Sequence, residues 1–432
     1  MINELKKEWI IHVIFLFLTL FYLWGMDFVP FHPDESTQIF MSEDSFDFIK
    51  DPFSLSYSPD SDLSSKIIYR AIDMPLTRYL IGFARFITNS PGLQSDWDWA
   101  LTWKQNLKTG AFPSQSLLKT ARIIPTLLIP LSIYLFYFSI RKILPKPPAL
   151  IAVIFLGLNP LILLHGRRAM AESALLFGIT LFLWSVTRDR IKSVLIGVAI
   201  AIAFNAKQTG IFLIPAGIIA VCVLPDEDQN LKNMLGRIAV IMAVFMTITL
   251  LLNPYYWKAP FSAIIFGFQT RAHLLDLQLI DHLGGYSPNI FRQVLNLISN
   301  VFILPPAVSE IDNYLGPLTR QIQVYREILP HSWGRNLIGG SIQLTIFLSG
   351  FYVFSRRYSS HSKAIQSNLI LILITTLSLV IGILFFLPLP WQRYFIPLIP
   401  LVAFWFGYGL LPLSEAIKTT LVSRKTHTDQ SR

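Results

Sequence analysis

The chain has 432 residues, 53% hydrophobic and 14% charged, against roughly 25% charged in an ordinary soluble protein. So few charges leave too little polar surface to keep a particle of this length in water, and the apolar residues fall in runs of about twenty, the length that crosses a ~30 Å hydrocarbon core. The net charge of +10 does not mark a nucleic-acid binder, because the basic residues are spread between the runs rather than clustered. A single cysteine, Cys222, excludes a disulfide framework and a thiolate metal site.

Taken in chain order, Lys6 and Lys7 precede the run Trp9 to Trp24. The run is long enough to span and no small-residue cleavage site follows it, so it is expected as a retained first helix. Further apolar runs predict about ten spans in all, at 9–28, 121–140, 148–165, 169–187, 191–206, 208–224, 235–252, 337–354, 367–387 and 394–412. Each must be helical to satisfy its backbone in lipid. The expected fold is an all-α polytopic membrane protein, one domain over 1–432 with two large outward-facing loops. The first, 27–119, holds many acids and an amphipathic helix near Arg70 to Ile87. The second, 253–336, opens on Asn253-Pro254-Tyr255-Tyr256-Trp257, an aromatic interfacial belt. The segment 414–432 is a polar, basic tail.

Orientation follows from the short connections. With Lys6 and Lys7 in the cytoplasm, alternate counting puts Arg141, Lys142, Lys146, Arg188, Arg190, Lys192, Lys232, Arg237, Arg356, Arg357, Lys363, Lys418, Arg424 and Lys425 inside. The short outer connections keep only Arg167, Arg168, Lys207 and Arg393. This bias is the positive-inside pattern, and it puts both termini in the cytoplasm of a plasma (inner) membrane protein.

The four outer cations run against that bias and need a reason. His32-Pro33-Asp34-Glu35 reads as a helix start, since proline suits a first turn and acids there favour the dipole. It also reads as a general base at the membrane surface. Both hold together if a capped helix is the mount. In Arg167-Arg168-Ala169-Met170-Ala171-Glu172, Arg168 and Glu172 are spaced to pair on one helix face. Alternatively Glu172 faces a site and an arginine holds an anion. Lys207 either snorkels to the interface or binds a phosphate as a point charge. Arg393 and Tyr394, after Trp391, form an interfacial anchor or aim an arginine at phosphate. Asp73-Met74-Pro75-Leu76-Thr77-Arg78-Tyr79 reads as an amphipathic turn and helix. His273, His282 and His331 are isolated, and no metal-ligand spacing is present.

These motifs, in this order, resemble the GT-C superfamily of integral membrane glycosyltransferases, in the branch of the protein O-mannosyltransferases and the lipid A aminoarabinose transferase. Asp34-Glu35 matches that family's acidic motif. Pro75-Leu76 with Tyr79 is similar to its Pro-Leu-x-x-Tyr element, and Arg122-Ile123-Ile124-Pro125 to its Arg-leading helix. Arg168 to Glu172 resembles an Arg-x-x-x-acid element, and Arg393-Tyr394 with Pro397 and Pro400 the opening of the last span. Met74 and Asp73 stand where relatives often carry a second proline and a basic residue. The resemblance implies a sugar donor on a polyprenyl phosphate, Asp34 as catalytic base, Glu35 or Glu172 in support, and outer cations on the lipid phosphate. Arg78, Lys207 and Arg393 compete for that grip, with Tyr79, Arg167, Arg168 and Tyr394 as further substrate-binding candidates. The acceptor is a lipid, glycan or protein hydroxyl, the bilayer is a partner, and nucleic acid is not. The sequence calls for no cofactor and leaves a divalent metal open. The alternative reading is a multi-span transporter or lipid flippase, which would carry inverted repeats and ionisable groups near mid-bilayer. Here the charges sit at span ends.

Overall fold

The computed structural model describes residues 9–60, 64–188, 192–224, 230–283, 289–309 and 314–416. Lys6, Lys7, Arg190, Lys418, Arg424, Lys425 and the tail from 417 lie outside the described residues. Among those described the chain is all-helical. In order the helices are α1 (Trp9–Gly25), α2 (Pro33–Met41), α3 (Asp44–Lys50), α4 (Ser65–Ile72), α5 (Leu76–Thr88), α6 (Trp103–Lys108) and α7 (Gln115–Ile140). Then follow α8 (Lys146–Gly157), α9 (Pro160–His165), α10 (Glu172–Val186), α11 (Ser193–Ala206), α12 (Leu213–Val223) and α13 (Leu231–Leu252). The chain continues through α14 (Pro260–Leu283), α15 (Ile290–Ile298), α16 (Thr319–Glu327), α17 (Leu337–Arg357), α18 (Lys363–Phe386) and α19 (Ile399–Gly409).

The ten apolar runs all fold as helices, but not to equal length. Among the described residues six helical stretches are long and apolar enough to cross a membrane: Trp9–Phe28, Gln115–Ile140, Leu231–Leu252, Leu337–Ser360, Lys363–Phe386 and Gln392–Ala416. The runs at 148–165, 169–187, 191–206 and 208–224 give shorter pieces. The first breaks at Asn159-Pro160, where the Asn159 side chain accepts from the Leu161 N–H at 3.0 Å and starts α9 anew. Proline supplies no N–H to continue α8, so the break is built into the sequence. The last opens as a 3-10 turn, Gln208–Phe212, before α12. These short helices are mostly buried among their neighbours, which satisfy the interrupted backbone where lipid would not.

The core is one large apolar cluster drawn from α1, α7 to α13 and α17 to α19. Helix α10 packs between α7 and α11, and α11 against α13. Gly178 permits the closest of these approaches, since a Cβ there would stand 2.5 Å from the Ala203 nitrogen of α11. Small residues let membrane helices approach in this way. Smaller clusters sit over this bundle and belong to 27–119 and 253–336.

The second of those segments is clipped to the bundle by buried polar contacts. Arg167 Nη1 donates to His331 Nε2 at 2.8 Å, and the His331 Nδ1–H donates to the Tyr325 carbonyl at 2.8 Å. Arg335 donates to the Asn300 carbonyl at 2.9 Å and to Asn159 Oδ1 at 3.2 Å. His331 is therefore held neutral: burial, aided by the Arg167 charge, pushes its pKa from 6.5 down to about 4. The unfolded chain takes up that proton as pH falls through 6.5, while the folded chain does not until about 4. The contribution to stability is thus complete above pH 6.5 and declines toward pH 4. We expect thermal unfolding of the detergent-solubilised protein to lose stability across that window, and His331→Gln, which keeps an acceptor but cannot titrate, to show a shallower loss. Identical slopes for the two proteins would contradict this.

Candidate active site

The site is built on the start of α2. His32 caps the helix, its Nδ1 accepting from the Asp34 N–H at 3.1 Å, and Glu35 Oε2 accepts from the His32 N–H at 3.1 Å. Pro33 occupies the first helical position. The two acids then point to different environments. Glu35 is fully buried, while the Asp34 side chain is 34% exposed.

Glu35 is a strut. Its oxygens accept from Arg122 Nε at 2.7 Å and Nη2 at 2.6 Å, and from the Ala169 N–H at 2.9 Å. Arg122 Nη1 also donates to the Met26 and Val29 carbonyls at 2.8 and 2.9 Å. Its contacts leave it to position α2 rather than to touch a substrate.

Asp34 meets Arg393 Nη1 in an ion pair. Beside it, Lys207 Nζ donates to Glu172 Oε1 at 2.8 Å. The Tyr394 ring sits under both cations, 5.1 Å from Lys207 Nζ and 6.0 Å from the Arg393 guanidinium carbon, with Trp391 4.9 Å from the latter. Arg393 and Lys207 are 13% and 21% exposed. The structure therefore brings together Asp34, Glu172, Lys207, Arg393 and Tyr394 from α2, the start of α10, the end of α11 and the turn before α19.

Two more acids stand near Asp34 that the sequence did not single out for this place. Burial pushes the Asp73 carboxyl above the usual carboxylate range, and the Asp34 charge adds to the effect against Arg271, Arg78 and Lys207. Asp96 is raised likewise by burial and by Asp34, opposed by Tyr69, Thr37 and the Trp97 N–H. Arg271, on α14, is the cation that sequence reasoning missed. It is half-buried, acts on Asp73, and has no hydrogen bond or ion pair among the described residues. Its helix lies in what reads as a loop, so nothing in the residue pattern points it inward.

Other expected ligand groups are placed differently. Arg167 and Arg168 are fully buried. Arg167 is spent on His331, the Phe21 carbonyl at 3.0 Å and the faces of Phe21 and Tyr22. Arg168 is spent on the Pro30 carbonyl and, at 2.6 Å, on Val308. A guanidinium closed in this way by carbonyls and rings holds the fold and is not presented to a ligand, which corrects the reading of both as substrate-binding. Arg78 is pinned at 3.3 Å by Asp44, which also pairs with Arg70 at 2.6 Å. With Tyr79, these residues line a cleft against Asn253, Pro254 and Tyr255. Among the described residues no group of three or more His, Cys, Asp or Glu is placed to hold a metal ion.

Comparison with known proteins agrees with this architecture. The family model for dolichyl-phosphate-mannose-protein mannosyltransferase matches residues 103–253. The archaeal oligosaccharyltransferase AglB of Archaeoglobus fulgidus, solved with an inhibitory peptide and a dolichol-phosphate, is 13% identical with a TM-score of 0.50. The alignment covers 98% of this chain and 52% of that one. An apo form of the A. fulgidus oligosaccharyltransferase gives a TM-score of 0.52 at 13% identity, covering 96% and 52%. The fold is similar to that of these two oligosaccharyltransferase structures. The S. cerevisiae protein O-mannosyltransferase Pmt1-Pmt2 complex, bound to its sugar donor, reaches a TM-score of only 0.38 at 14% identity over 60% of this chain and 34% of that one. A search of the curated proteins finds no match. The chain spans about half the length of the oligosaccharyltransferases it matches.

Within this helical bundle the two acids of the helix start have separable roles. Glu35→Ala leaves Arg122 buried and unpaired, so we expect a stability loss of about 3–5 kcal/mol. Asp34→Asn, at a part-exposed site, should cost about 1 kcal/mol or less. Thermal unfolding of both variants in detergent measures the contrast, and equal losses would reject the division.

Proposed function

We propose that the chain is a membrane glycosyltransferase that moves a sugar from a polyprenyl-phosphate-linked donor to an acceptor hydroxyl on the outer face, with inversion. The observation that carries the reading is Asp34, a part-exposed carboxylate on a rigid helix start, paired with Arg393, with the Lys207–Glu172 pair sharing the Tyr394 ring beside it. The match to a mannosyltransferase family model supports the reaction class, and the dolichol-phosphate in the AglB complex supports a lipid-phosphate donor. The distribution of Lys and Arg supports the outer face of the plasma membrane. In this reading 27–119 carries the base, and 253–336 contributes to the acceptor side, where Tyr314 meets Trp99.

The acceptor oxygen bonds to the anomeric carbon from the face opposite the phosphate. The bond from that carbon to the phosphate oxygen breaks, and its electron pair leaves with the lipid phosphate. The hydroxyl proton passes to Asp34. The leaving group is already good, so the assistance it needs is fixed positive charge near the phosphate oxygens. In the resting site Arg393 is paired with Asp34, which blunts the carboxylate as a base. A bound phosphate competes for Arg393 and so frees Asp34. Arg271, unpaired, is the cation with least to give up on binding an anion, and Lys207 is held by Glu172. The prenyl chain lies in an apolar groove between spans.

In proteoliposomes with polyprenyl-phosphate mannose as donor probe, Asp34→Asn should lower sugar transfer by about 10²–10⁴ while insertion and elution profile stay normal. Transfer at the normal rate would remove Asp34 as base. Arg271→Ala should raise the donor KM with a smaller change in kcat, and an unchanged donor KM would take Arg271 out of the phosphate site.

A further inference from the structure

The segment Asp96-Trp97-Asp98-Trp99 is absorbed by none of the roles above. It is held rigidly. Asn106, fully buried, accepts from the Asp98 N–H at 2.9 Å and donates back to the Asp98 carbonyl at 2.9 Å, and Asp98 Oδ1 accepts from the Ala100 N–H at 2.8 Å. Trp97 anchors it in an aromatic core, with ring centroids 5.7 Å from Phe31, 5.4 Å from Trp103 and 6.2 Å from Tyr314. Trp99 is left part-exposed. Its ring meets His32 at 6.5 Å and Tyr314 at 5.8 Å, both steeply inclined rather than stacked. His32 is the residue that caps α2 and receives the Asp34 N–H. The same segment carries Asp96, whose carboxyl is raised by burial and, in smaller part, by the Asp34 charge. Both Asp96 oxygens face inward without a hydrogen bond of normal geometry, although Tyr69 and Thr37 lie beside them. Asp34 is thus paired with Arg393, and the cap residue next to it, His32, meets Trp99.

We infer that Trp99 and Asp96 form an acceptor subsite for a carbohydrate ring, so that the hydroxyl presented to Asp34 belongs to a glycan. A pyranose offers an apolar face of C–H groups and a rim of hydroxyl donors. A half-exposed indole suits the face, and the Asp96 carboxyl beside Tyr69 and Thr37 suits the rim, since either protonation state leaves it able to accept from a hydroxyl. The inference rests on the reading of Asp34 as base, but binding tests it apart from catalysis.

The test is saccharide binding to the full chain in detergent, measured by saturation-transfer NMR with maltotetraose, chitotetraose and mannotetraose, and with a serine- and threonine-containing hexapeptide. At least one saccharide should bind and the peptide should not. Trp99→Ala should weaken that binding at least about tenfold, with Trp99→Phe retaining most of it. Asp96→Asn should weaken it less, and Asp34→Asn should leave it intact. Binding of no saccharide, or binding indifferent to Trp99, overturns the subsite, as does Trp99-dependent binding of the peptide. Trp99-dependent saccharide binding together with normal transfer by Asp34→Asn would keep the subsite and reject the base. Asp34-dependent transfer to the peptide alone would do the reverse.

Discussion

The buried ion pair between Glu35 and Arg122 is the constraint on which the rest of the site depends. One carboxylate and one guanidinium join four stretches of chain: the end of α1 at Met26, the start of α2, the middle of α7, and Ala169 ahead of α10. Burying two charges is costly unless nearly every donor and acceptor is used. Here Arg122 reaches Glu35 twice and two further carbonyls once each, so the desolvation is offset by directional bonds. The consequence is geometric. With Glu35 fixed and Pro33 setting the first turn, Asp34 has one direction left, outward from the bundle. The pair of acids therefore works through its asymmetry, one sealed and one open.

The open side follows a different electrostatic rule. Its carboxylates and cations are paired in the resting state, Asp34 with Arg393 and Glu172 with Lys207. Both pairs share the Tyr394 ring, which accepts cation–π contact from Lys207 and Arg393. An anionic ligand gains little from a cation already matched to an acid. It gains from displacing one partner or from meeting a cation that has none. Arg271 is such a cation, and the buried Asp73 and Asp96 limit how much negative charge the site holds, because their raised pKa values favour the protonated form.

Much of this was legible in the residues. Ten apolar runs announced the helical class, and the cations outside the positive-inside bias marked Lys207 and Arg393 before any geometry. Asp34-Glu35 was readable as a helix start and as an acidic site, and it is mounted as a capped helix. What could not be read was burial. Arg167 and Arg168 look in sequence like Lys207, yet carbonyls and aromatic rings enclose them. Charge at a span end says nothing of whether a second segment will fold over it. His331 shows the same blindness from the other side, an isolated loop histidine that becomes a buried clip on Arg167. Arg271 and Asp96 were missed because both lie in segments without apolar periodicity strong enough to assign a facing side.

The shortness of the middle helices explains why the site lies where it does. Helices α8, α10 and α11 have 12, 15 and 14 residues, reaching about 18–22 Å where a ~30 Å core has to be crossed. Their ends expose unpaired backbone groups that lipid cannot satisfy, so protein or water must cover them. The polar residues at those ends are the ones that gather at the site: Glu172 opens α10 and Lys207 closes α11. A full-length helix in either place would fill the space with apolar side chains and carry its end groups out to solvent. Stopping short instead sets Glu172 and Lys207 inside the protein, where they pair at 2.8 Å and fixed charges are weakly screened.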